Sequence, residues 1–335
     1  MVFNEASVKF HKKLVREFYI FRKCNVFKNA MVYRLVSPWT TSRAALENAL
    51  ESHRFNECGA SQEKSVGWVE PRGQAHGDLV EVVGGQWVLK LAIEVKTVPG
   101  SVIKRKVLSQ VEQIEESTGR KPGKKEQRTL ADDARLSLLP MAFSKQSTVT
   151  VWMSPKDQWM VLDAGSQAKA DEVLTCLVKA IDGFAVTLIH TQASPAASMA
   201  HWLGSKEAPT GFSVDRECEL KAADESKAVV RYTRHPLDTD EVSQHIAAGK
   251  VPTRLALTWN DRISFVLTES LTLKKMAFLD VVLEDTPMTA SDRADDNFDA
   301  DVSIATGELS RMLPALIEAL GGEASLTPLP VPLAA

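Results

Sequence analysis

Alternating apolar and polar residues give the clearest strand signal in the chain. Across 87–96 every second residue is large and apolar, and Lys90, Glu94 and Lys96 share the opposite face. A period of two is typical of a half-buried β-strand. A shorter apolar run at 31–35 is also of strand length. Further strands are predicted at 147–153, 158–163, 185–190, 228–232, 254–259 and 262–267.

Apolar residues at spacings of three and four predict helices between these strands. One helix is expected at 40–52, one after Ser166 and one that opens at Thr306. Glycines and polar residues favour an exposed loop at 67–78. The predicted strands and helices do not form a regular βαβ repeat, so the pattern favours an α+β fold.

The segment 101–145 predicts two consecutive helices. Ile103, Val107 and Val111 recur at helical spacing, and Ser101 is the expected cap. A break rich in glycine and proline precedes a second apolar series, which ends at Pro140.

The same segment concentrates positive charge. Its ten cations and six anions give it a net charge of +4, within a chain of net charge −3. On the second predicted helix, spacing brings five cations to one face, which would present a positive stripe to a polyanion such as nucleic acid; they are Lys121, Lys124, Lys125, Arg128 and Arg135. A solvated helix face, interrupted by Asp132, is the alternative. The candidate DNA-binding residues are Lys96, Lys104, Lys106, Lys121, Lys124, Lys125, Arg128, Arg135 and Lys145.

Composition indicates an ordinary globular protein. The chain has 335 residues, 44% of them hydrophobic and 25% charged, which is enough for two or three compact units. Its four cysteines are widely separated, so we expect neither a disulfide framework nor a zinc site. Such cysteine usage suggests a protein of the reducing cytoplasm. No apolar run approaches the roughly 20 residues that cross a bilayer. Residues 8–23 are basic and amphipathic, so surface adhesion stays open beside a dispensable extension.

One arrangement of residues suggests an enzyme. Asp78 precedes Glu94 and Lys96 in the order used by restriction-type nucleases, where two carboxylates hold Mg²⁺ and the lysine stabilises the attacking water. Glu-x-Lys is common on half-exposed strands, and the usual Pro-Asp context is missing. A Mg²⁺-dependent nuclease is therefore the alternative function.

Other chemistry finds little support. No glycine-rich loop precedes Gly249 and Lys250, no GxSxG motif occurs, and the histidines lack metal-binding spacing. The acidic run at 295–299 matches the DDxxD pattern of prenyl-transferring enzymes but lacks a second acidic motif, so a solvated loop is favoured. We expect no catalytic residues, no metal and no cofactor. A protein scaffold without a nucleic-acid role is a third possibility.

Several short motifs, in consistent order from about residue 27 to 324, resemble the bacterial recombination-associated protein RdgC family. They are FKNAMVYRL at 27–35, GWV at 67–69, LLP at 138–140, AFS at 142–144, AGKV at 248–251, FDAD at 298–301, TGEL at 306–309 and IEALGGEA at 317–324.

The resemblance implies a cytoplasmic, nucleoid-associated protein without catalytic activity. Such a protein binds double-stranded DNA without marked sequence preference, with single-stranded DNA as a second candidate, and restrains RecA-promoted recombination. The implied fold is α+β, with a central mixed-sheet region and two projecting parts. Two subunits would meet at both projections to form a ring-shaped homodimer around the duplex.

The resemblance also implies residues for the two subunit contacts. Phe143 matches the phenylalanine of the AFS motif at one contact, whereas its position alone leaves local core packing open. Arg234 and His235 fall at the other contact, where this sequence departs from the family pattern. The implied segments are an extension (1–25), a central region (26–100 and 146–195), a helical tip (101–145), a base with a β-hairpin (196–283), an acidic loop and C-terminal helix (284–324) and a disordered tail (325–335).

Overall fold

The computed structural model describes residues 26–284 and 294–324. The expected extension at 1–25, the tail at 325–335 and part of the acidic stretch, 285–293, lie outside the described residues. Two antiparallel sheets and the helices around them form an α+β fold, as the sequence predicts. Within the described ranges, no helix is both long and apolar enough to span a membrane.

The first sheet has seven strands, all antiparallel to their neighbours. The strands are β1 (Met31–Leu35), β2 (Lys64–Val69), β3 (Glu81–Val83), β4 (Gln86–Lys96), β5 (Ser144–Ser154), β6 (Trp159–Leu162) and β7 (Val186–Leu188). Their order is β2, β4, β5, β6, β1, β7, with β3 beside β4. The alternating segment at 87–96 is therefore confirmed as a strand, and it lies inside the sheet.

The second sheet has five strands in the order β12, β11, β10, β8, β9. The strands are β8 (Phe212–Ala222), β9 (Val229–Thr233), β10 (Lys250–Trp259), β11 (Ile263–Thr268) and β12 (Leu273–Phe278). Three residues, Asn260, Asp261 and Arg262, join β10 to β11. Asn260 and Asp261 have positive φ, and the backbone N–H of Arg262 donates to the carbonyl oxygen of Trp259 at 2.8 Å, which closes a tight hairpin turn. The sequence patterns predicted this hairpin but missed β8 and β12.

Helices cover parts of both sheets. They are α1 (Arg43–Glu51), α2 (Gly100–Thr118), α3 (Lys124–Leu138), α4 (Gln167–Ala180), α5 (Pro195–Ser205), α6 (Asp240–Ala247), α7 (Asp280–Glu284) and α8 (Ala294–Ala319), with a 3₁₀ turn at Leu139–Met141.

Strand alternation divides the first sheet into two unlike faces. Leu89 and Leu91 of β4 belong to a core formed with α1 and α4. On the opposite face, Trp152 and Val161 belong to a second core, which includes α8 and the second sheet. The part of this face that carries Lys90 is not covered by either core, and we call it the open face.

The expected loop at 67–78 is wrong in its first part. Residues Lys64–Val69 form β2, and Trp68 is completely buried. A Cβ atom on Gly67 would lie 2.4 Å from the Cα atom of Phe55, so the glycine permits a close backbone crossing inside the fold.

Two predicted helix starts are also wrong. Helix α2 begins at Gly100 after Pro99, and Ser101 lies inside it. Helix α8 begins at Ala294, so the acidic residues that follow belong to a helix rather than to a loop. Thr306 is buried within α8 and donates its hydroxyl to the carbonyl oxygen of Val302 at 2.7 Å.

Candidate nucleic-acid interface

Helices α2 and α3 form an insertion between two adjacent strands. Strand β4 ends at Lys96, and its partner β5 begins at Ser144, which pairs with Lys96. A turn of two residues is enough to join neighbouring antiparallel strands. The two helices are therefore additional to the sheet and extend away from its end. At 1.5 Å per residue, α2 is roughly 28 Å long. We call α2, α3 and the turn at 139–141 the helical hairpin.

The helical hairpin has a small core of its own. Ile103 and Val111 of α2 are buried, as are Ala134 of α3 and Leu139. None of these four residues belongs to the two large cores of the sheets. The outer faces of both helices are therefore available for other contacts.

Several candidate cations are exposed on this hairpin. Lys124, Lys125 and Arg128 lie in the first turns of α3, and Lys104 lies on α2. Within the described part of the chain, none of these four forms an ion pair. Lys124 and Arg128 lie within roughly 40° of each other around α3, with Lys125 beside them. This exposed, unneutralised group can approach a polyanion without first breaking an ion pair.

Other candidates have protein partners. Lys106 donates to the hydroxyl oxygen of Ser137 at 2.6 Å and so joins α2 to α3. Arg135 lies 3.8 Å from the carboxylate of Glu63. These two cations contribute to the structure of the hairpin as well as to its charge.

The remaining candidates lie outside the two helices. Lys96 donates to the carbonyl oxygen of Gly59 at 2.9 Å. Lys145 is exposed on β5, opposite Val95. The prediction that Lys121 lies on the second helix is wrong, because α3 begins three residues later, at Lys124. Lys121 is exposed in the turn instead.

One cation was missed by the sequence reading. Arg105 is exposed on α2, and within the described ranges it forms no ion pair. Its place in a run of three cations, next to Lys104, was the available signal.

Phe143 is 94% exposed, so local core packing does not account for it. Met141 and Leu136 are exposed nearby in sequence, at 71% and 55%. Neither side chain belongs to the buried core of the hairpin, and neither residue was predicted from the sequence as a subunit contact. An exposed aromatic residue with apolar neighbours is typical of a protein contact.

Arg234 and His235 lie at the end of the edge strand β9 and are exposed. Arg234 has a positive φ of 57°, an uncommon conformation for a residue other than glycine. The backbone N–H of His235 donates to the carbonyl oxygen of Arg216 at 3.1 Å, and its ring lies 5.4 Å from that of Tyr232.

The structure does not bring the nuclease candidates together. Asp78 accepts a hydrogen bond from Arg43 at 2.6 Å, at the start of α1. Glu94 lies on the opposite face of β4 from the core that includes α1. It is only 3% exposed and accepts from the backbone N–H of Cys58 at 2.7 Å, which lowers the pKa of Glu94. Among the described residues there is no group of three His, Cys, Asp or Glu that could hold a metal.

Known proteins similar to this chain agree with one another. The sequence model of the family described as "Putative exonuclease, RdgC" matches residues 26–323. The recombination-associated protein RdgC of Dechloromonas aromatica (strain RCB) is 47% identical over 300 residues, covering 89% of this chain and 98% of that protein. Proteins of the same name from Herminiimonas arsenicoxydans and Bordetella pertussis are 47% and 41% identical over 297 residues, with the same coverage. The chain therefore belongs to the RdgC family of recombination-associated proteins.

Proposed function

We propose that the protein binds duplex DNA without sequence preference and that two copies close a ring around it. In this proposal the bound ring obstructs RecA filaments and so restrains recombination, in the cytoplasm and at the nucleoid. Single-stranded DNA is a second, weaker partner. Catalysis has no part in this function.

The observation that carries the proposal is the exposed cationic surface of the helical hairpin. Helix α3 carries three exposed cations that form no ion pair in the described ranges, Lys124, Lys125 and Arg128. The relatives are named for recombination, a process that acts on DNA. Cations that bind phosphates release condensed counterions, and this release supplies sequence-independent affinity.

Exposed apolar residues support the proposed homodimer. Phe143 and Met141 present an apolar surface between the end of α3 and the start of β5, at the opposite end of α3 from Lys124 and Lys125. Burying such a surface against the same surface of a second copy removes it from water. In the proposed ring, Arg234 and His235 form the other contact, at the end of β9.

The proposal leaves out catalysis because the structure does not support the nuclease candidates. Asp78 and Glu94 lie on opposite sides of β4, so they cannot share one Mg²⁺ ion in this fold.

A binding and cleavage assay tests the proposal. Fluorescence anisotropy with two labelled duplexes of unrelated sequence should give equal affinities that fall steeply as salt increases. Supercoiled plasmid with the protein and Mg²⁺ should stay intact, with no difference between the protein and Glu94→Gln. Salt-insensitive binding or no binding would favour a protein scaffold. Cutting that disappears in Glu94→Gln would establish a nuclease.

A further inference from the structure

A cleft of about 670 Å³ lies on the open face of the first sheet. Strands β4 and β5, the start of α4 and the helix α8 contribute to its walls. No part of the helical hairpin lines it. Its charged side chains are three lysines and two aspartates: Lys28, Lys90, Lys169, Asp163 and Asp301.

Lys90 is the half-buried cation of this cleft. Its Nζ atom donates one hydrogen bond, to the carbonyl oxygen of Pro71 at 2.7 Å. In the described ranges no carboxylate pairs with this amine. Burial lowers the pKa of Lys90, because the charged amine has lost water without gaining an anion. A lysine ammonium has three donors, so two of them are available to a ligand.

Asp163 is held mainly by neutral donors, although the charge of Lys28 also acts on it. Its carboxylate accepts from the backbone N–H groups of Lys28 at 3.1 Å and Asn29 at 2.7 Å, and from Asn29 Nδ2 at 3.2 Å. Burial raises the pKa of Asp163. Asp301 of α8 also has an interaction partner. Lys28 and Lys169 form no ion pair within the described ranges, and the three lysines of the lining outnumber its two carboxylates.

Neutral donors complete the lining. Thr148 and Thr150 of β5 contribute hydroxyl groups. Ser166 precedes α4, and its side chain makes no capping hydrogen bond to the helix. Hydrogen bonds from ammonium and hydroxyl groups to a phosphate are charge-assisted, and such bonds are stronger than those between neutral groups.

We propose that this cleft binds a phosphate group, held by Lys90, Lys28 and Lys169 with the hydroxyl groups of Thr148 and Thr150. The phosphate can belong to a free anion or nucleotide, or to the end of a DNA strand. No residue of the helical hairpin lines the cleft, so the site can be tested separately from the hairpin cations.

Calorimetric titration tests the site with three probes: inorganic phosphate, a nucleoside monophosphate, and a short single-stranded oligonucleotide with either a 5′-phosphate or a 5′-hydroxyl. At least one phosphate probe should bind saturably. Lys90→Met keeps most of the side-chain volume and should weaken binding roughly tenfold, the scale of one lost charged hydrogen bond. Lys179→Met, an exposed lysine at the other end of α4, is the matched control and should bind like the unchanged protein.

Amine labelling followed by mass spectrometry gives a second readout that does not depend on a variant. The bound probe should slow labelling of Lys90 and Lys169 but not of Lys179. Binding of inorganic phosphate would identify a free anion, and selective binding of the 5′-phosphorylated strand would identify a DNA end. Replacing Lys124, Lys125 and Arg128 by glutamine should leave the site intact, so a failure of the duplex proposal is distinguishable. The proposed site would be wrong if none of the probes bound saturably, or if Lys90→Met and Lys179→Met bound them with equal affinity.

Discussion

At the scale of single residues, close backbone contacts decide positions that the sequence pattern cannot. Gly67 was read as a turn residue because glycine is common in turns. In the fold it lies in β2, where Trp68 donates its backbone N–H to His53 and accepts one from Phe55, at 2.9 Å each. That crossing depends on a chain segment outside the strand, and no local periodicity reports it.

Gly67→Ala should therefore destabilise the fold. The added Cβ atom would lie 2.4 Å from the Cα atom of Phe55, a backbone atom that a side-chain rotation cannot move. We expect the free energy of unfolding to fall by about 1–3 kcal/mol, the usual cost of overpacking. Denaturant unfolding of this variant beside Gly204→Ala, a helical glycine with open space around its Cβ position, measures the difference. Equal stability of the two variants would contradict the close crossing.

At the scale of elements, strong periodicity located the strands and helices well. Strand β4, the hairpin of β10 and β11 and the two helices of the helical hairpin follow from spacing and turn residues. Element ends were less predictable. Helix α8 starts before Thr306 because its acidic first part has a distant partner: Arg72 pairs with Asp299 at 2.7 Å and lies 4.7 Å from the ring of Phe298.

The helical hairpin also shows what sequence can say about a site. The charge excess was visible in the sequence, but the partners of individual cations were not. Lys106 and Arg135 contact side chains that depend on the folded hairpin and on the segment before β2. Lys124, Lys125 and Arg128 keep their charge exposed.

Replacing Lys124, Lys125 and Arg128 together by glutamine should weaken DNA binding. Each lost phosphate contact should lower the slope of log affinity against log salt by roughly 0.9. Fluorescence anisotropy at several salt concentrations measures this slope. A control with glutamine at Lys156, Lys179 and Lys227, three exposed lysines outside the hairpin, removes the same charge. Equal slopes for the two triple variants would remove the hairpin cations from the interface.

At the scale of the whole molecule, the proposed ring requires a second copy of this chain. The α+β fold was anticipated, but the expected mixed sheet is wrong, because both described sheets are antiparallel. The exposure of Phe143 also required the structure. Sequence position alone left core packing and interface equally open for this residue. The fold settles only that the ring of Phe143 does not join a core of its own chain.

Phe143→Ala should weaken association of two copies while leaving the fold intact. The side chain is 94% exposed, so its removal creates no cavity within the chain. At an interface, loss of an aromatic anchor typically costs at least about 2 kcal/mol of binding free energy. Sedimentation at decreasing protein concentration compares this variant with Val178→Ala, an exposed apolar residue on α4. Unchanged dimers at high dilution would exclude Phe143 from the contact.

Retention on circular and linear DNA of one sequence tests whether a closed ring surrounds the duplex. Protein bound to relaxed circular plasmid at low salt is washed with high salt, with or without one cut that linearises the plasmid. Salt weakens phosphate contacts in both forms, but only the circle retains a topologically linked ring. A closed ring should stay on the circle and slide off the ends of the linear DNA. Equal release from both forms would contradict encirclement.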